Sequence, residues 1–230
     1  MGGPPADNVR MRVLFVGDTH ANAGFWPTYV TPAVEANDVD LVVQVGDFGW
    51  WPHANVFLNS ARRTPVPTLF IDGNHEHFRQ LRTIVEHMEP NADGTVPMGG
   101  NLAFVPRGTM LRVGGSRVLF CGGAHSIDRL TRKPDMTWWA DEDDTDADVA
   151  ACVAHGRVDV LVCHDAPNRW SIPGVADSNR MPGRWRAELA ACHEGRQQIT
   201  RVSMPSSPAC SSTATTTGPT AVRSTPGGVN

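Results

Sequence analysis

Four short apolar runs in this chain each stop at a cluster of metal-binding polar residues, and this pattern constrains the fold more than any other feature. Arg12–Val16 leads into Gly17-Asp18-Thr19-His20, and Leu41–Val45 into Gly46-Asp47-Phe48-Gly49. Thr68–Ile71 leads, through Asp72, into Gly73-Asn74-His75-Glu76, and Val158–Val162 into Cys163-His164-Asp165-Ala166-Pro167. Each run is short, rich in β-branched residues and bounded by Gly, Asp or Pro, which predicts strands. The carboxyl ends of parallel strands share one edge of a sheet, so the four clusters are expected to converge on one crevice. Glycine at the exits permits the sharp turns that bring the side chains together.

Singly, each cluster has an ordinary reading. Gly-Asp after a strand is a turn, a lone His satisfies a local hydrogen bond, and Asn-His caps a following helix. Four such clusters at four strand ends point instead to a common ligand centre. A mixture of carboxylate, amide oxygen and imidazole suits Mn²⁺, Fe or Zn²⁺ better than an all-oxygen Ca²⁺ cage or a thiolate zinc site.

Helical patterns separate the strands. Phe78, Leu81, Val85 and Met88 recur at steps of three and four, and a second stripe, Trp185, Leu189, Cys192 and Ile199, runs from about Arg184 to Thr200. The acidic segment Asp141–Asp148 suits the positive end of a helix covering Val149–Ala154. Alternating strands and helices predict an α/β class. Turn signals at Arg107-Gly108 and Gly114-Gly115 make Leu102–Cys121 antiparallel and the sheet mixed. With 230 residues, one moderately large domain is expected over residues 11–201, after a loose polar leader over residues 1–10.

Composition narrows the partners. A net charge of −4 argues against a strong nucleic-acid-binding surface while leaving a small phosphate substrate open. The longest charge-free stretch, between Arg201 and Arg223, is built of Ser, Thr, Pro and Ala and cannot span a membrane. Five cysteines without a Cys-x-x-Cys pair suit a reduced, cytoplasmic setting, with Cys121, Cys152 and Cys163 as small core residues. Nothing in the sequence sets the oligomeric state.

Asp-x-His, Gly-Asp, Gly-Asn-His-Glu and a later strand-end His resemble the calcineurin-like metallophosphoesterase family over about Arg12 to Pro167. The segment Gly122–Arg129, followed by Trp138-Trp139, is similar to its small bacterial and phage branch. The resemblance implies a four-layer sandwich of two mixed β-sheets flanked by helices. It also implies a phosphoesterase with two divalent metal ions, Mn²⁺ foremost, that hydrolyses a phosphomonoester or phosphodiester through a metal-bridging hydroxide. Carried onto this chain, Asp18 and His20 hold one metal, Asn74 and His164 the other, and Asp47 bridges them. His75 serves as general acid to the leaving oxygen.

The family pattern continues with a strand and Gly-His-x-His, and this chain has no such motif after His164, leaving five of seven implied ligands. His193, the only later histidine, falls within a helical pattern. Residues 202–230 hold twelve Ser and Thr and four Pro without apolar periodicity, the composition of a disordered tail. The usage of Arg for 19 of the 20 basic residues implies GC-rich codons. When each codon is read from the third base of one residue and the first two of the next, Cys210–Thr217 becomes compatible with Leu-Leu-Val-His-Gly-His-Tyr-His. The tail is therefore either a natural Ser/Thr-rich segment or an out-of-frame translation of the missing strand and motif. In the second case metal binding is expected to be impaired and the last strand absent.

Smaller features carry two readings each. Trp50-Trp51 and Trp138-Trp139 line a cleft or fill the core, and His125 faces the metal crevice or packs. Arg129 and Arg132 reach a substrate phosphate in one reading, and Asp165 either orients His164 or caps a turn.

Overall fold

The computed structural model describes residues 10–170 and 183–203, so all of the leader over residues 1–10 except Arg10, and nearly all of the tail, lie outside the described residues. Strands β1 (Val13–Val16), β2 (Leu41–Gln44), β3 (Thr68–Phe70), β4 (Val96–Pro97) and β5 (Leu102–Phe104) form one sheet in the order β1-β2-β3-β5-β4. All its pairings are parallel except β4 with β5. A second sheet, β6-β7-β8, comprises the hairpin β6 (Thr109–Val113) and β7 (Ser116–Cys121) and the strand β8 (Val160–Cys163), parallel to β7. Two expectations change here. Leu102–Phe104 belongs to the first sheet and lies parallel to β3, and His164 leaves the second sheet, so the predicted single edge is an edge of two facing sheets.

Alternation along the strands explains the layering. On β2, Val42 joins Trp26, Phe57 and Phe70 beneath the helices α1 (Thr31–Ala36) and α2 (Asn55–Arg62), while Leu41 and Val43 face the second sheet. On β7, Val118 and Phe120 meet Val43 and Ile71 between the sheets. Leu119 and Cys121 point the other way, toward Val149, Cys152 and Val202 of α4 (Asp146–Ala154) and α5 (Arg186–Ser203). A period of two thus distributes side chains between adjoining cores, and the result is a helix, sheet, sheet, helix sandwich. The third helix, α3 (Phe78–His87), buries Phe78 and Leu81 of its predicted stripe, while Met88 ends it. The acidic helix start is a capping box: the Thr145 hydroxyl accepts from Asp148 N–H, and the Asp148 carboxylate accepts from Thr145 N–H at 2.9 Å.

Among the described residues, β1 and β8 each have a strand neighbour on one side only. Between these two edges the inter-sheet core opens into a cavity of about 450 Å³, whose walls include Met11, Val13, Phe15, Val118, Phe120 and Val160. Phe15 is 53% exposed there, unusual for a strand aromatic.

Arg107 joins the two sheets and the loop before α4. Its guanidinium donates to Asp72 Oδ2 through Nε at 2.8 Å and Nη2 at 2.5 Å, and to the carbonyls of Asp141, Glu142 and Asp143. Both side chains of the pair are buried, at 11% and 4% exposure. Arg107→Met is expected to strand the Asp72 carboxylate and to cost about 3–5 kcal/mol by urea denaturation, with Asp72→Asn added to it recovering part of the loss.

Candidate metal centre

The loops after β1, β2 and β3 are bound to one another by backbone hydrogen bonds. Asp18 N–H donates to Gly46 C=O, His20 N–H to Asp47 C=O at 2.9 Å, and Ala21 N–H to Phe48 C=O. The buried Thr19 hydroxyl also donates to Phe48 C=O, at 2.9 Å. Asp18, His20 and Asp47 all take positive φ (49°, 44° and 52°), a sparsely populated region for residues with a Cβ. Such backbone strain concentrates at functional sites because the surrounding structure must hold it in place.

Two carboxyl groups cross between the second and third loops. The oxygen Oδ1 of Asp47, a residue 3% exposed, accepts the N–H groups of Asn74 and His75, both at 2.9 Å. In return the fully buried Glu76 accepts the N–H groups of Phe48, Gly49 and Trp50 at 2.8, 3.0 and 2.6 Å. Burial pushes the Glu76 carboxyl up to about 8, against the pull of those donors. Glu76 has no assigned role in the sequence reading. Its signal was its place at the end of Gly-Asn-His-Glu, beside residues read as ligands.

Two glycines are required by close approach. A Cβ at Gly46, where φ is +101°, would overlap the His164 imidazole, and one at Gly73 would overlap Asp47. Polar atoms thereby converge. His164 Nε2 lies 3.1 Å from Asn74 Oδ1 and 3.4 Å from Asp47 Oδ1, and His20 Nε2 lies 3.4 Å from Asp47 Oδ2 and 3.9 Å from Asp18 Oδ1. Asp18, Asp47 and His164 each offer one atom within 4.8 Å of the others. The carbonyl of Val45 lies 3.0 Å from His164 Nδ1 and accepts its proton, which leaves Nε2 facing Asn74 and Asp47. Nε2 of His164 and the Oδ1 atoms of Asn74 and Asp47 then face one another, a nitrogen and two oxygens of the kinds a first-row divalent cation takes. His75 stands beside them, its ring 5.3 Å from that of His20, and burial pushes its imidazole down from the ordinary value.

The structure thus brings Asp18, His20, Asp47, Asn74, His75 and His164 to one crevice. It settles several double readings as well. Asp165 caps its own turn through Ala166 N–H at 2.6 Å, so orienting His164 falls to Val45. His125 lies away from the crevice, 2.8 Å from both Asp143 and Glu188, and hydrogen bonding to Asp143 pushes it up. Arg132 pairs inward with Glu142 at 2.7 Å and Arg129 with Glu188 at 3.0 Å, so both guanidinium groups are already engaged. Trp50 and Trp139 are core residues, and Trp51 donates from its indole to the His75 carbonyl at 3.0 Å. His193 is an exposed residue of α5, 3.1 Å from Asn168.

Burial also raises Glu142 to about 7 and Asp144 to about 7. A carboxyl raised in the fold binds more protons folded than unfolded, so its contribution is complete near pH 4 and is lost as pH climbs through the folded value. Thermal stability is expected to fall between pH 5 and pH 8.5. Glu76→Gln is expected to flatten that slope, and Glu76→Ala, with three buried N–H groups lacking acceptors at about 1–3 kcal/mol each, to unfold at much lower urea.

No helix among the described residues is long and apolar enough to cross a membrane. A search of curated proteins found no match to the chain. The family model for calcineurin-like phosphoesterases matches residues 11–180, most of the 230-residue chain. With the two-sheet sandwich and its convergent loops, that match establishes that the chain belongs to the calcineurin-like phosphoesterase family.

Proposed function

We propose that this chain hydrolyses a phosphomonoester or phosphodiester with the help of two divalent cations, Mn²⁺ foremost, held by Asp18, His20, Asp47, Asn74 and His164. The observation that carries this reading is the meeting of side chains from three separate loops, with His164 Nε2 3.1 Å from Asn74 Oδ1 and 3.4 Å from Asp47 Oδ1. Harder oxygen donors mixed with imidazole fit a first-row divalent ion. Such ions, when bound, neutralise phosphate oxygens and activate water at neutral pH.

The residues themselves divide the remaining work. Asp47 sits between the Asp18–His20 pair and the Asn74–His164 pair, with Oδ2 toward His20 and Oδ1 toward His164, which suits a bridging role. The side chains of Asp18 and His20 are 71% and 49% exposed, which leaves the crevice open to a substrate. His75, anchored through its N–H to Asp47 and its C=O to Trp51, is placed to give a proton to the departing oxygen. A lowered imidazole pKa makes it a stronger acid once protonated. In the presence of Mn²⁺ the chain is expected to hydrolyse an aryl phosphate or bis-aryl phosphate, and Asp47→Asn to abolish the reaction while the fold persists by circular dichroism. Wild-type turnover indistinguishable from Asp47→Asn would overturn the assignment.

A second reading, a catalytically defective relative acting as a binding or vestigial protein, is favoured by the edge of β8, which has no second strand neighbour among the described residues, and by the apolar cavity beside it. Such an edge is where the strand compatible with the shifted frame of Cys210–Thr217 would pair. Restoring the frame is expected to raise Mn²⁺-dependent turnover at least tenfold, given that ligand support is commonly worth about 10–100-fold. Equal turnover before and after restoration would remove the frameshift from consideration.

A further inference from the structure

The segment Gly122–Arg129 has no task in the reading above, yet it delivers one buried hydroxyl to the metal centre. After β7 the chain is pinned by Gly123 N–H donating to Asp72 C=O and Ala124 N–H donating to Glu142 C=O, both at 3.0 Å. Ser126 follows, fully buried, with its Oγ 2.9 Å from Asn74 Nδ2. Its other neighbours are the carboxylate of the fully buried Glu142, to which the hydroxyl donates, and Arg132 Nη1 at 2.5 Å.

A hydroxyl has one proton and two lone pairs. The proton of Ser126 goes to Glu142 in a charge-assisted bond, stronger than one to a neutral amide oxygen. Arg132 can only donate, so it takes one lone pair. The remaining lone pair faces Asn74, and only the NH₂ end of that amide can answer it. Oδ1 is then turned toward His164 Nε2, where it lies at 3.1 Å. The two ends of an asparagine amide are nearly equal in size, so packing alone does not choose between them.

We propose that Ser126 is a positioning residue which, through its saturated hydroxyl, fixes the Asn74 amide with its oxygen toward the metal centre. This rests on the metal-binding reading of the crevice. Without the hydroxyl, Arg132 Nη1 becomes the nearest donor and attracts Oδ1, so the amide turns over and presents N–H groups to the ligand centre. Arg132 Nη1 already donates to the backbone C=O of Asn74 at 3.1 Å, which holds this guanidinium beside the residue.

The test has a metal-free arm and a metal arm, both at pH 8 so that Glu142 is largely ionised. In ¹⁵N NMR of the metal-free protein, the Asn74 side-chain amide is expected to show a proton protected from solvent exchange in wild type and unprotected in Ser126→Ala. Titration with Mn²⁺, followed by the loss of its free-ion electron paramagnetic resonance signal, is expected to show affinity lowered about 10–100-fold in Ser126→Ala. The same substitution in an Asn74→Ala background is expected to change affinity by less than about twofold, since the residue acts only through Asn74. A general packing defect would instead persist in that background. Identical Asn74 amide signals in wild type and Ser126→Ala overturn the proposal whatever the metal does. Wild type that binds no Mn²⁺ while the amide arm behaves as expected overturns the metal reading of the crevice and leaves the amide orientation standing.

Discussion

Two neighbouring loops exchange carboxyl groups, and the rest of the site is built on that exchange. Asp47 on the loop after β2 accepts two N–H groups from the loop after β3, and Glu76 on the latter accepts three from the former. Each loop thereby satisfies the backbone donors that the other leaves pointing into a water-poor edge of the sheet. The left-handed φ of Asp47 persists under this mutual constraint, and it leaves Oδ2 directed at the loop after β1. The carboxyl proposed to bridge two cations is thus also part of the joint between two loops. Rigidity and the proposed ligation come from the same side chain.

The strand ends were legible in the sequence because apolar runs and glycine exits are local signals, and the crevice followed from the rule that parallel strands share an edge. The four clusters could be grouped on that basis, while the choice of Asp18, His20, Asp47, Asn74 and His164 within them came from the family resemblance. The second sheet was harder to see. β5 has the same turn-flanked texture as β6 and β7, yet it pairs with β3, a choice made by long-range packing of Leu102 and Phe104 beneath the helices. Periodicity is blind to such a choice, since a three-residue strand carries too little pattern to name its neighbour.

Partnerships between side chains were less legible still. His125 and His164 both follow a strand, and both were candidates for the crevice. One is held between Asp143 and Glu188, and the other is turned by the Val45 carbonyl. Arg132 reads as a candidate contact to a substrate phosphate, yet it closes a buried network with Glu142 and Ser126. These outcomes depend on atoms 58 and 119 residues distant in the chain, as with Arg132 at Asn74 and His164 at Val45. Single-residue chemistry supplies candidates, and only the packing decides which of them meet.

The crevice draws its candidate ligands from both sheets, with Asp47 and Asn74 on one and His164 on the other. Nothing covalent sets the gap between them. It is held by the layer of Val43, Ile71, Val118, Phe120 and Val162, whose combined bulk acts as a spacer. Ile71 and Val162 do not line the cavity between the sheets, and one methylene added or removed there shifts close-packed neighbours by tenths of an ångström, comparable to the tolerance of a coordination bond. The apolar filling between the sheets is therefore a gauge for the proposed metal centre, and its volume at Ile71 and Val162 bears on the spacing of the candidate ligands.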